Sequence, residues 1–397
     1  MNLPQLANRR ECTGCLACVD SCRHDALKHY VAEDGHYYVR IVENVCVGCL
    51  QCERTCPIVS KLKYGESECA TFYAAWNVDD EERTKSASGG AFTAMARYVI
   101  GQGGVVAGVV SENVCDVRHV MVSDVAGLRQ LQGSKYTQSD ASGIYIETYK
   151  NLKEGKLVLF SGTGCQVGGL RSFLRNKKYG GRLITVDLIC GGVPSKLLLQ
   201  KFAVNESYEV KRIISYRTKE HGWKPKGFVY NLKVEDANGK IHDYTDIRNL
   251  VTTGFSTELT ERYSCYQCKF VGTHRMSDFT IGDLWGDKEF PDQHYKGLSL
   301  VIAHNEWADR LLKDMTAYLH AELCNKERAV EVNFRLVNGR NVRRYTVERR
   351  LMTTIFNNCS YQTLKILYAD DYSVKNIWTL WNIVRRIYIK FMKFIMS

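Results

Sequence analysis

Three absences narrow the reading of this chain. Its 397 residues contain no run of about 18 apolar residues, so no helix is expected to span a bilayer. No apolar segment of the signal-peptide kind opens it. That argues against an oxidising compartment, and so against a disulfide framework for its 16 cysteines. No nucleic-acid-binding motif accompanies its net charge of +11, so nucleic acid is not an expected partner. Acidic residues are also missing after Asp371. Residues 325–397 hold 14 Lys and Arg against 5 Asp and Glu, while the remainder is near neutral. Length and reduced cysteines together suggest a cytoplasmic protein of two or three domains.

What is present is cysteine in a repeated spacing. Cys12-x2-Cys15-x2-Cys18-x3-Cys22 recurs as Cys46-x2-Cys49-x2-Cys52-x3-Cys56, followed by Pro57. Zinc favours separated C-x2-C knuckles rather than four cysteines in eleven residues. The run is instead that of a ferredoxin with two 4Fe–4S clusters, in which the fourth cysteine of each run ligates the other cluster. Cys12, Cys15, Cys18 and Cys56 are therefore assigned to one cluster, and Cys46, Cys49, Cys52 and Cys22 to the other. Gly14 and Gly48 let backbone N–H groups approach sulfur. Arg23 stands after Cys22, where proline is usual. The segment Tyr37 to Val42 alternates like a strand.

Beyond residue 66 the periodicity changes. Strands are expected at Thr71–Val78, Gly104–Val110, Val117–Val122, 156–160, 182–189, Phe279–Leu284 and Leu298–Ala303. Helices are expected at Ser86–Gly101, 142–153, 166–175 and 195–203, with Asp124 capping another. Such alternation implies a mostly parallel sheet covered by helices. Asn238-Gly239 signals a hairpin, making the architecture mixed, and the tail from about 304 reads as mostly helical.

Three glycine-rich loops stand out. Ser88-Gly89-Gly90 opens a helix, as a phosphate site would, though an ordinary capped helix does the same. Gly133-Ser134-Lys135-Tyr136 offers a cation, small donors and an aromatic, and is equally a surface turn. Gly162-Thr163-Gly164-Cys165 follows a strand, with Asp187 ending the next. The glycine spacing and Cys165 at the position of closest approach make a dinucleotide site weak there. Cys165 and Cys190 both follow strands and would share a sheet edge. With Cys265-x2-Cys268 they make four ligands, enough for a third cluster; buried reduced cysteines are the competing reading. Cys69, Cys115, Cys324 and Cys359 read as structural.

Several stretches together resemble the beta subunit of coenzyme F-420-reducing hydrogenase and its relatives, a formate dehydrogenase beta subunit and plant 7-hydroxymethyl chlorophyll a reductase among them. These are Ser88 to Thr93, Gln132 to Tyr136, Gly162 to Gln166, Cys190 to Ser195, Arg217-Thr218-Lys219 before Gly222-Trp223, Cys265 to Cys268, and Ser277 to Gly286. The resemblance covers roughly residues 70–290. It implies a FAD-binding mixed α/β domain behind an α+β ferredoxin-like dicluster domain. It also implies a third 4Fe–4S cluster on Cys165, Cys190, Cys265 and Cys268, and FAD contacts from the loops of Ser88, Gly89, Gly90, Gly133, Ser134, Lys135 and Tyr136. The corresponding division is 1–66, 67–155, 156–325 and a basic helical tail, 326–397. Gly164 and Gly191 depart from the proline and histidine common in the family.

The implied function is an iron–sulfur flavoprotein oxidoreductase that couples one-electron transfer through clusters to two-electron chemistry at FAD. Its partners would be a redox protein or ferredoxin and a small-molecule substrate, with the deazaflavin coenzyme F-420 an open choice. Arg217 and Lys219 would bind an anion, His221 donate a proton, and Asp283 lie near the flavin. The alternative is a non-catalytic subunit that delivers electrons to a partner enzyme. At helical pitch, Lys375, Arg386, Lys390 and Lys393 share one face of the tail, with Leu380, Val384, Ile387 and Phe391 opposite. That pattern suits peripheral contact of 375–397 with the inner face of a membrane, or docking on protein.

Overall fold

The computed structural model describes residues 2–62, 70–204, 208–220, 222–223, 231–245, 249–257, 260–286, 288–339, 354 and 357–368. Cys69, His221 and the tail 375–397 lie outside them. None of the described helices is long and apolar enough to cross a membrane.

The N-terminal unit contains α1 (Ala17–Asp20), the antiparallel pair β1 (Leu27–Val31) and β2 (Tyr37–Ile41), and α2 (Gln51–Thr55). Its two cysteine loops repeat one backbone. Gly14 and Gly48 have φ of 66° and 68°, and Leu16 and Leu50 have φ of 64° and 58°. A left-handed leucine costs about 1–3 kcal/mol and persists only where the surroundings impose it. The same strain at equivalent places marks a conformation that the cysteine spacing requires.

The larger unit is laid down as β3 (Thr71–Asn77), α3 (Asp80–Lys85), α4 (Ala91–Gly101), β4 (Val105–Ser111), β5 (Val117–Val122), α5 (Val125–Leu131), α6 (Ile144–Lys153), β6 (Leu157–Thr163), α7 (Gly164–Leu174), β7 (Arg182–Leu188) and α8 (Lys196–Ala203). A small antiparallel sheet follows, from β8 (Val210–Ser215), β9 (Asn231–Asp236) and β10 (Ile241–Thr245). Asn238-Gly239 turns β9 into β10, with Gly239 at φ 80°. Then come α9 (Leu250–Thr257), β11 (Phe279–Asp283), β12 (Ser299–Ala303), α10 (Glu306–Asp314), β13 (Leu319–Leu323) and α11 (Lys326–Val332).

The main sheet has the order β13-β3-β12-β11-β7-β6-β4-β5. Only β4, β6, β7 and β11 run parallel to one another; β5 pairs antiparallel with β4, and β12, β3 and β13 pair antiparallel beyond β11. The sheet is thus mixed rather than mostly parallel. Among the described residues the stretch from 304 is mostly helical, as expected, but it includes the strand β13, whose alternation is short and polar, as suits an edge strand. α3 is a second departure, because Asp79 caps a separate helix ahead of the Ser86 loop.

Central strands alternate between two cores. Val106 and Leu159 join Met95, Val99, Ile184 and Phe279 on one face. Val105, Val158 and Phe160 join Tyr145, Leu170, Phe173 and Ala17 of the N-terminal unit on the other. The carboxyl ends of β6, β7 and β11 therefore gather Cys165, Cys190 and Asp283 at one edge, the usual place for ligands in an α/β sheet.

Candidate functional site

Cys22, Cys46, Cys49 and Cys52 line one small cavity, and all described cysteines are free thiols. Cys12, Cys15, Cys18 and Cys56 form the second N-terminal group. Burial, with Cys56 adding charge, pushes the Cys15 thiol up to about 12; Cys18 is raised for the same reason beside Cys15, Cys12 and Cys56. Such thiols ionise readily only beside a cation, which the iron of a cluster supplies. The backbone N–H of Ala26 donates to Cys22 Sγ at 3.3 Å.

A further cavity holds the four remaining candidates. Cys165, from the start of α7, and Cys190, after β7, face Cys265 and Cys268 across a pocket that Thr13 of the N-terminal unit also lines. Burial raises Cys165 and Cys265 strongly and Cys268 to about 12, each with the other cysteines as charged neighbours. The N–H groups of Gly192 and Phe270 donate to Cys190 Sγ and Cys268 Sγ, both at 3.4 Å. Among the described residues no three His, Cys, Asp or Glu close on a single-ion site. A cubane takes its thiolates at separate corners, and so suits four sulfurs around a shared hollow.

A third hollow measures about 1370 Å³ including its open mouth. All three glycine loops reach it: Ser88, Gly90 and the first turn of α4 on one side, Gly133 to Thr137 on another, and Ser161 to Thr163 on a third. Gly90 caps α4 in the left-handed region with no side-chain cap, leaving first-turn N–H groups for a ligand. A side chain at Gly133, φ 76°, would meet no protein atom within 4 Å. Thr163, Cys190, Gly192 and Val193 line both this cavity and that of the four cysteines.

Arg217 dominates the polar wall. It is buried, with a side chain 7% exposed, and donates to Asp283 at 2.9 Å and to the Tyr136 hydroxyl at 3.1 Å. Its guanidinium lies 3.9 Å from the centre of the Trp223 ring and 5.0 Å from that of Trp285, two indoles stacked 3° from parallel. Its Nε and Nη2, and the Thr137 hydroxyl on the same wall, are buried without a hydrogen-bond partner among the described residues. Buried donors of this kind lose about 1–3 kcal/mol each unless something accepts from them. An electron-rich or anionic ligand edge fits that need, as the polar edge of a flavin would. Thr137 and the two indoles were not singled out by sequence; Trp223 and Trp285 had stood only as members of motifs.

The other expected residues divide. Ser134 and Tyr136 line the cavity, whereas Gly89 does not: a Cβ there would lie 2.4 Å from the Ala75 carbonyl, so this glycine lets the loop pack on β3. Ser88 lines it, with its hydroxyl engaged by Leu298 O at 2.7 Å rather than free for a ligand. Lys135 lines it too, yet its ammonium donates to the carbonyls of Gln130, Leu131 and Gln132 at the end of α5 rather than standing ready for a phosphate. Lys219 is off the cavity altogether; its ammonium ties the carbonyls of Arg83, Ser88 and Lys296, and burial pushes it down to about 7. Asp187 is a core residue, bonded to Arg275 at 3.2 Å and to Thr280, and faces no ribose site.

The glycines of α7 have a packing explanation. A Cβ at Gly168 would lie 2.5 Å from the Phe270 ring, and one at Gly169 3.2 Å from both Ala17 Cβ and Cys15 Sγ. They admit the loop of Cys268 on one side and the N-terminal unit on the other.

Comparison with known proteins is consistent with this layout. The model of the C terminus of the coenzyme F420 hydrogenase/dehydrogenase beta subunit matches residues 155–328, that of its N-terminal part residues 72–144, and a 4Fe-4S dicluster domain residues 11–59. Among solved structures, a chain of the F420-reducing NiFe hydrogenase complex from Methanosarcina barkeri aligns at 17% identity and a TM-score of 0.44, over 67% of this chain and 89% of that one. No curated protein matches the chain.

Proposed function

The chain belongs to the coenzyme F420 hydrogenase/dehydrogenase beta subunit family and carries an iron–sulfur dicluster domain, and from that premise we propose that it is an FAD-dependent oxidoreductase. Electrons would pass singly through three 4Fe–4S clusters. A bound flavin would supply the exchange between one-electron carriers and a two-electron substrate. The observation that carries this reading is the wall common to two cavities: Thr163, Cys190, Gly192 and Val193 separate four cysteines from the large hollow.

In this reading Cys165, Cys190, Cys265 and Cys268 hold the third cluster. The uncapped first turn of α4 receives a phosphate, and Arg217 and Thr137 bind the polar edge of the cofactor or of an anionic substrate such as a deazaflavin. Asp283 holds Arg217 in place. A second reading, a subunit that only relays electrons, draws on Lys135 and Lys219, whose ammonium groups are engaged by carbonyls rather than free for substrate.

Anaerobically purified protein is expected to show a flavin spectrum and roughly twelve irons per chain. Cys165→Ala should remove about four of them. Eight irons without flavin would leave only the dicluster domain standing. Flavin reduction by a small molecule without a partner protein separates the enzyme from the relay.

A further inference from the structure

Among the described cysteines Cys49 alone is exposed; it belongs to the Cys22/Cys46/Cys49/Cys52 site and is flanked by exposed Val45 and Val47. Cys15, of the Cys12/Cys15/Cys18/Cys56 group, lies close enough to Cys165 to raise its pKa. If the sites hold clusters, the Cys49 site is the outer terminus of the series.

Beside that terminus lies a recess of about 950 Å³, open to solvent, lined by Arg171, Leu174, Arg175, Lys177, Lys178 and Tyr179. No carboxylate lines it. Arg171 is neutralised by Asp278 at 3.0 Å, but none of the described ion pairs involves Arg175, Lys177 or Lys178. Lys177 instead lies over the Phe173 and Tyr149 rings.

A short chain of contacts joins recess and terminus. Arg175 Nη2 donates to Arg54 O at 2.7 Å, and Arg54 Nη2 donates to Cys49 O at 2.7 Å. Arg23, exposed and next to Cys22, is near enough to Lys177 to lower its pKa, after burial. Arg23, Arg54, Arg175, Lys177 and Lys178 thus make a cationic rim beside the exposed thiol, with two valines for apolar contact.

We infer that this rim is the docking surface for a small acidic one-electron carrier protein, which exchanges electrons with the Cys49 site. The inference rests on the proposed function, since it needs a cluster there. One electron leaves the reduced carrier, which is oxidised, and reduces the cluster; no bond forms or breaks. Complementary charge speeds such an encounter by about 10- to 1000-fold and makes it sensitive to salt. Apolar contact near the thiol lets the partner approach closely.

The test is anaerobic stopped-flow reduction of the purified protein by a reduced acidic ferredoxin, and separately by reduced methyl viologen, a small cation. The ferredoxin rate of the unaltered protein should fall steeply with added salt. Arg175→Glu/Lys177→Glu/Lys178→Glu should lower that rate at least about tenfold at low salt and leave reduction by viologen undiminished. Lys177→Glu/Lys178→Glu, which leaves the Arg175 bond to Arg54 in place, should give an intermediate loss, guarding against misfolding as the cause. Equal ferredoxin rates in all three proteins, salt-independent rates, or rim-dependent binding only to anionic vesicles would overturn the inference. Absence of reducible iron would instead defeat the proposed function, and iron content reports that separately.

Discussion

Two buried histidines give the chain a testable response to acid. His119 sits between the Ser161 carbonyl at 3.2 Å and the Ser139 hydroxyl at 3.1 Å, so its neutral ring donates from Nε2 and accepts at Nδ1. Burial pushes it down to about 4, and His304 down to about 3. The unfolded chain takes up these protons below about 6.5. Stability is therefore whole above that pH and drains away as pH falls toward 4, by about 3 kcal/mol for His119 alone. Asp20, raised to about 6 by burial, works the other way, since the folded chain binds its proton first. Two large histidine shifts outweigh it. Anaerobic denaturant titrations should show lower stability at about pH 5 than at about pH 7.5, with a shallower decline in His119→Asn. At this scale the cysteines were legible because cluster ligation writes a local spacing. Lys135 and Lys219 were not: the Lys135 ammonium turns back to donate to carbonyls at the end of the preceding helix, and Lys219 donates to carbonyls that only the fold brings together. Arg217 was legible as a cation in a motif; that two of its nitrogens lack acceptors among the described residues is a tertiary fact.

Among the elements, α7 shows how a glycine pattern can carry two meanings. Gly162-x-Gly164 followed by Gly168-Gly169 invites comparison with a nucleotide loop, but Gly168 and Gly169 lie inside the helix and are small because other chain segments press on both its sides. Gly169→Leu should destabilise the protein by about 1–3 kcal/mol through overpacking against Cys15 and Ala17 and should lower iron content, whereas Gly180→Ala, where nothing lies within 4 Å, should stay within about 0.5 kcal/mol. Thermal unfolding with iron assay checks both. The parallel strands were readable as continuous apolar runs because both their faces are buried. β13 was missed because an edge strand with one inward residue leaves almost no hydrophobic signal. α3 lay in the gap between the expected strand and helix, because its charged residues 80–85 carry no apolar stripe.

Across the whole molecule, the seam between the two units is polar, dense and buried. Arg262, fully buried, donates to Cys12 O and Tyr37 O, both at 2.6 Å, and Gln138 donates to Gly14 O. Tyr145 donates to Cys15 O at 2.6 Å, and Asp20 of the first unit accepts from Gly143 and Tyr145 at the start of α6. Sequence marked both units and their order but could not show this joint, since its partners lie more than 100 residues apart. Its consequence concerns friction. With the inner cysteine sites fixed to one frame, the proposed passage of electrons from rim to hollow would need no swing of one unit toward the other, unlike carriers on tethers. On that proposal, added glycerol should slow capture of a carrier protein in proportion to solvent viscosity while the rate of reduction of the proposed flavin from already reduced clusters stays unchanged, as time-resolved absorbance would show. The molecule would then conduct as a solid does, with diffusion confined to its surface.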